Sequence, residues 1–179
     1  MNKVVYGIRH AEGWHNILFS ALRQRAYTDY QDCSLTVTGM LQAKDAPKPK
    51  GIQVVYVSPL TRTLQTSQLI FPNTPTIALE CLKEYPQHSQ QCNRRSSRSL
   101  LTRVFPAVNF DDLKEEEQPW PNPITYESNL KTFKEIVKNC PYSNIAVVTH
   151  STWLKYCMTN KIESLPELKH CVPYKLDIN

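Results

Sequence analysis

The 179-residue chain is 41% hydrophobic with a formal net charge of +5, too apolar for a disordered segment and sufficient for one ordinary core. Its 4 glycines stand against 13 prolines, which excludes a flexible glycine-rich molecule and points to loops stiffened by fixed φ. The positive balance suits nucleic acid, but equally an enzyme with polyanionic substrates, so the placement of the charges has to decide.

The first apolar run, Val4 to Ile8, reads as a buried strand and is too short, before Arg9, for a signal-peptide core or a membrane span. A soluble, cytoplasmic protein without membrane contact is the expectation. Trp14 to about Arg25 reads as a helix, and Leu35 to Ala46 as a second with Thr36 at its N-cap. Ile52 to Val57 is β-branched and aromatic, hence a strand, and Ser58-Pro59 then supply an N-cap and a first helical residue for a helix through about Leu69. A short strand is expected at Thr76 to Leu79, followed by a long polar, proline-punctuated stretch from about Cys81 to Pro123 with poor periodicity. Glu127 to about Val137 has helical spacing, Ile145 to Val148 is a third strong strand, and His150 precedes another helix. Val172 to Ile178 closes the chain as a strand. This alternation implies an α/β fold, a three-layer αβα sandwich with a largely parallel central sheet and no second domain.

Six scattered cysteines without a CxxC pair read as free thiols, and Cys81, His88 and Cys92 lack the spacing of a zinc site. No metal and no other cofactor is expected. The densest basic stretch, Arg94, Arg95, Arg98 and Arg103, has no interleaved aromatics, so a solvated loop or a contact to a small anion is favoured over nucleic acid. Glu115 to Glu117 reads as a solvated patch.

Three apolar strands each end in residues suited to phosphate: Arg9-His10, Ser58-Pro59 leading to Arg62, and Thr149-His150. In open α/β sheets the ligand crevice lies at the carboxyl ends of the strands, so these distant places can meet. The helix after Ser58 would offer an anion its free N–H groups and positive dipole end, and Arg62 and Arg9 would each offer a planar fork. Two arginines and a second histidine disfavour the charged form of His10, leaving a neutral ring with a nucleophilic lone pair. His150 would donate to a phosphoryl oxygen.

These residues resemble the histidine phosphatase superfamily, the phosphoglycerate mutase-like proteins. Arg9-His10-Ala11-Glu12-Gly13-Trp14-His15-Asn16 is similar to the family's first motif, Ser58-Pro59-Leu60-Thr61-Arg62-Thr63-Leu64-Gln65-Thr66 to its second and Val148-Thr149-His150 to its third, with Leu35-Thr36, Gly39 and Gln42-Ala43 fitting the connecting helix. Gly13, His15-Asn16, Cys92 with Arg94-Arg95, and Phe105-Pro106-Ala107 resemble its plant and fungal branch. The resemblance implies a phosphohistidine on His10 and a clamp of Arg9, Arg62 and His150. It further implies a carboxylic acid in a Leu-x-Glu stretch, which Leu82-Lys83-Glu84 fits, with Glu80 and Glu12 as alternatives. Asn16, Arg94, Arg95 and Ser151 are the expected substrate contacts, the arginines coming from a substrate-covering insertion at about 81–123. Ala11 departs from the family's glycine, and the C-terminal half is short.

The expected partner is a small phosphate ester or a phosphorylated protein. The leading expectation is a metal-independent phosphomonoester hydrolase. A phosphoglycerate-type mutase sharing the intermediate, or a catalytically lapsed phosphate-binding module, are the alternatives.

Overall fold

A computed structural model describes residues 3–84, 90–117, 126–161 and 165–178, and structural statements refer to these. Six strands, β1 (Val4–Arg9), β2 (Val54–Val57), β3 (Thr76–Ala78), β4 (Val108–Asn109), β5 (Asn144–Thr149) and β6 (Pro173–Leu176), form one sheet in the order β4-β3-β2-β5-β1-β6. All neighbours run parallel except β6, which lies antiparallel to β1. Successive side chains of a strand point to opposite faces. Val55, Val57, Ala146 and Val148 accordingly pack in one core cluster, and Val54, Tyr56, Ile145 and Val147 in the other.

Helices cover both faces, as a parallel sheet requires. The first cluster takes residues of α3 (Val37–Lys44), α4 (Thr61–Ile70) and α5 (Arg98–Val104). The second takes Leu130, Phe133 and Val137 of α6 (Tyr126–Asn139), at helical spacing, and Trp153 and Leu154 of α7 (Ser151–Thr159). The three-layer α/β architecture is therefore the one the alternation of elements implies.

Three local differences bear on the site. The first helix stops at Leu22 as α1 (Trp14–Leu22), and a single turn, α2 (Arg25–Thr28), follows after Arg23 takes a φ of 53°. The long segment after β3 is not a pure loop, because its β4 pairs with β3 and extends the sheet; His88 lies outside the described residues.

The third difference concerns α4. This helix starts at Thr61, with extended Leu60 as its N-cap, rather than at Ser58-Pro59. The chain supplies its own anion there: Asp32 Oδ1 accepts from Thr61 N at 2.7 Å, and Oδ2 accepts from Thr61 Oγ1, Ser96 N and Ser96 Oγ. The expected phosphate-binding helix end is thus occupied by a carboxylate that staples α4 to two loops. Asp32→Ala strips these donors of their acceptor in a site only 9% exposed, and chemical denaturation should show a loss of about 3 kcal/mol.

Candidate active site

Strand order brings the chemistry together. β5 lies between β1 and β2, with Arg9 opposite Thr149 and Val57 opposite Val148. The ladder continues one residue beyond: His10 N donates to Thr149 O at 2.9 Å and Ser58 N to Val148 O at 3.0 Å. His10, Ser58 and His150 therefore leave the sheet side by side at its carboxyl edge.

His10 is buried, and its Nδ1 lies 2.7 Å from the Ala11 carbonyl oxygen. A carbonyl only accepts, so Nδ1 carries the hydrogen and Nε2 keeps the lone pair. That lone pair faces Arg62 Nε at 3.3 Å. Burial foremost, then the Arg62 guanidinium, hold the His10 pKa well below the usual histidine value, so the ring is neutral at pH 7. Ala11 is not among the described residues with positive φ, and its methyl is buried in the core, so the backbone there needs no glycine. The glycine the motif does need is Gly39 of α3, where a Cβ would stand 2.1 Å from the Glu12 carbonyl oxygen.

Arg62, 1% exposed, is the hub. Nη1 donates to the Cys92 carbonyl at 2.6 Å and Nη2 to Asn93 Oδ1 at 2.8 Å, whereas its contacts to His10 Nε2 and His150 Nδ1 are both 3.3 Å. Two short bonds anchor the guanidinium and two long ones hold the imidazoles. The His10 and His150 rings lie 5.2 Å apart, and burial, then Arg62, also hold the His150 pKa well below its ordinary value.

Arg9 is buried, and it pairs with Glu167 at 2.7 Å and donates to Leu168 O at 2.6 Å, leaving a buried Nε without a partner. Glu84 lies at the first turn of α7: its Oε2 accepts from Thr152 N at 3.4 Å and its Oε1 from Tyr126 OH at 2.7 Å. It is held there by the preceding turn, where Thr149 Oγ1 donates to Leu82 O and Trp153 Nε1 to Cys81 O. The alternatives are engaged elsewhere, Glu12 by Thr36 and Glu80 by Arg95 and Lys83.

The expected substrate contacts divide. Ser151 Oγ, at the start of α7, is buried without a partner. Asn16 Oδ1 accepts from Gly13 N and so closes the first turn of α1. Arg94 is exposed and pairs with Glu117. Arg95 corrects the expectation of a substrate contact: it is 2% exposed and its guanidinium is spent on Glu80 and the carbonyls of Lys114, Glu115 and Ser96, knitting the long segment together.

Four participants escaped sequence reasoning. Asn93 anchors Arg62 through a contact that no local pattern announces. His15, buried with an unpartnered Nδ1, lies 5.6 Å ring to ring from His10; its place inside the first motif was the available signal. His170 lies 5.7 Å from His10 and donates from Nδ1 to the His10 carbonyl, while Cys171 N donates to Arg9 O. Ser58, read as a helix cap, instead meets His150. A concavity of about 1430 Å³ lined by Lys3, Lys131, Lys134, Lys138 and Lys175 lies by the amino end of β1, away from all of these.

Four histidines, His10, His15, His150 and His170, have pKa values lowered chiefly by burial. Folding then excludes protons that the unfolded rings would bind, so stability falls as pH drops through the unfolded value of about 6.5 and stops falling only below the lowered folded values. Thermal unfolding followed between about pH 7.5 and 5.5 should show Tm decreasing with acid, and less steeply in a His15→Phe protein.

A buried, neutral histidine beside an anchored arginine thus stands at the carboxyl edge of a parallel sheet. The chain belongs to the histidine phosphatase superfamily, branch 1, whose profile matches residues 5–170. Among its relatives, "Phosphoglycerate mutase-like protein 1" of Arabidopsis thaliana is 29% identical over 196 residues, covering 85% of this chain and 69% of that protein. "Probable phosphoglycerate mutase" of Arthroderma benhamiae is 29% identical over 136 residues, 58% of this chain and 39% of its own length. Among solved structures, the α-ribazole phosphatase of Shigella flexneri superposes with a TM-score of 0.65 at 18% identity, covering 98% of this chain and 91% of that one. A phosphoserine phosphatase of Entamoeba histolytica, in complex with 3-phosphoglyceric acid, gives 0.51 at 21% identity, with 86% and 76% covered. These likenesses establish the shared fold. No described helix is long and apolar enough to cross a membrane.

Proposed function

We propose that the protein is a metal-independent phosphomonoester hydrolase working through a phosphohistidine on His10, with Glu84 as general acid and then base. The observation that carries this reading is the His10 tautomer: Nδ1 is committed to the Ala11 carbonyl, and the free Nε2 lone pair is turned toward Arg62 among buried side chains. A neutral nitrogen attacks an anionic phosphoryl group without the repulsion an anionic nucleophile would meet. Arg62 exchanges its two long bonds for phosphoryl oxygens while Cys92 and Asn93 keep it in place, and the unpartnered Arg9 Nε adds a donor.

In the first step the His10 Nε2–P bond forms, the P–O bond to the leaving group breaks, and the Glu84 carboxyl gives its proton to the departing alkoxide. In the second, Glu84 carboxylate takes a proton from water as the water oxygen attacks phosphorus, and the P–N bond returns its electrons to Nε2. Supplying positive charge where negative charge develops is the main work of such a site.

Enzyme mixed with a radiolabelled phosphate ester and quenched in alkaline denaturant should carry a phosphoenzyme that is labile in acid and stable in base. Absence of label during rapid turnover would refute the covalent route. With 3-phosphoglycerate, release of free phosphate supports the hydrolase, and isomerised sugar acid the mutase that the names of the relatives suggest.

A further inference from the structure

Ser58 and His150 are both fully buried, with Ser58 Oγ 2.9 Å from His150 Nε2. Across the same ring, Nδ1 lies 3.3 Å from Arg62 Nη2. A guanidinium has donors and no acceptor, so Nδ1 holds the lone pair, and Nε2 bears the hydrogen and donates to Ser58. His10 is in the opposite tautomer, with Nδ1 protonated. Both rings therefore turn a lone pair toward Arg62, and a dianionic phosphoryl group placed between them would face two lone pairs.

We propose that Ser58 is a positioning residue that, by accepting from Nε2, holds the His150 ring in the orientation in which the Nδ1 lone pair set by Arg62 faces the phosphoryl site, so that the site takes its substrate as the phosphate-ester monoanion and His150 receives the P–OH proton. The inference rests on the phosphatase reading above. The step is balanced within the complex: the P–OH bond gives its hydrogen to Nδ1, an N–H bond forms, and the phosphoryl group becomes fully anionic. His150 becomes an imidazolium donating to that group from Nδ1 and to Ser58 from Nε2. Product phosphate carries the proton away on release.

The surroundings favour this order of events. Among the described residues, the charged and titratable groups that act on His150 are Arg62 from α4, Arg9 and His10 from β1 and its end, and His15 from α1, while Glu84 meets Thr152 N two residues further along α7. By themselves the two arginines oppose a third cation. A bound anion offsets them, so the proton and the phosphoryl group arrive together. Serine suits the position because its hydroxyl accepts from Nε2 in both states of the ring.

Nitrogen-15 NMR of the full chain labelled at histidine tests the assignment without turnover. In the free protein at pH 7, His150 should show a protonated Nε2 and a bare Nδ1, and saturation with inorganic phosphate at pH 6 should protonate Nδ1 while His10 stays neutral. A hydrogen on Nδ1 in the free protein, or a bare Nδ1 in the complex, overturns the proposal. In kinetics, kcat/KM should fall about tenfold per pH unit above the ester's second pKa of about 6, and the break should move with that pKa along a substituted ester series. A break indifferent to the ester overturns it. Ser58→Ala strands the buried Nε2–H and should lower kcat/KM roughly 10- to 100-fold and move the His150 Nε2 resonance, with Ser58→Thr restoring both in part; an unchanged kcat/KM and Nε2 resonance in Ser58→Ala overturns it. Failure to trap a phosphoenzyme while the NMR results hold would count against the covalent hydrolase and leave the Ser58 assignment standing.

Discussion

A His10→Ala protein should lose at least about 10⁴-fold in turnover of phosphate monoesters, the scale seen when the nucleophile of a covalent mechanism is removed. The fold should survive, because the ring adds little to the core: its partners are the Ala11 carbonyl, Arg62 and neighbouring imidazoles. Arg62 stays anchored by Cys92 and Asn93. The variant should therefore still bind inorganic phosphate, which separates loss of chemistry from loss of the pocket. Turnover across a panel of esters beside phosphate binding by calorimetry makes the comparison. A variant as active as the parent would remove His10 from the mechanism, and one that turns nothing over and binds no phosphate would point to a collapsed site.

Glu84→Gln carries the second large effect, and it depends on the leaving group. An alkoxide leaves poorly without a proton, and general acid catalysis is worth about 10²–10⁴-fold. An alkyl phosphate should lose activity in that range, whereas p-nitrophenyl phosphate, whose phenolate needs no proton, should lose far less in the first step. Glutamine fits the site sterically and keeps an oxygen for Tyr126 OH or Thr152 N. Equal losses on both esters would mean that Glu84 only positions the loop. Glu12→Gln should leave the ratio of the two esters unchanged, because Glu12 is occupied at Thr36, 2.7 Å from its Oγ1.

Arg95 and Ser58 show where pattern reading stops. Arg95 stands in the most basic stretch of the chain, which suggested an anion contact, but Glu80 and three carbonyls converge on it from the folded segment and use its donors. Ser58-Pro59 has the composition of a helix start, and helix propensity alone would begin α4 there. Asp32, 29 residues away in sequence from Thr61, caps the helix at Thr61 instead and frees the Ser58 hydroxyl for His150.

The sequence by itself determined the three buried strands, the α/β layering and the arrival of Arg9-His10, Ser58 to Arg62, and His150 at one sheet edge, because strand periodicity and the polar residues that end each strand are local properties. Only the tertiary structure decided which nitrogen of each imidazole is free, what anchors Arg62, and which carboxylate reaches the first turn of α7. Apart from the adjacent Ala11 carbonyl that binds His10 Nδ1, those outcomes depend on hydrogen-bond partners from distant segments, the Cys92 carbonyl, Asn93, Ser58 and Tyr126 among them. Backbone carbonyls look alike at every position of a sequence, and they acquire individual roles when folding brings a donor within reach and excludes the water that would otherwise satisfy it.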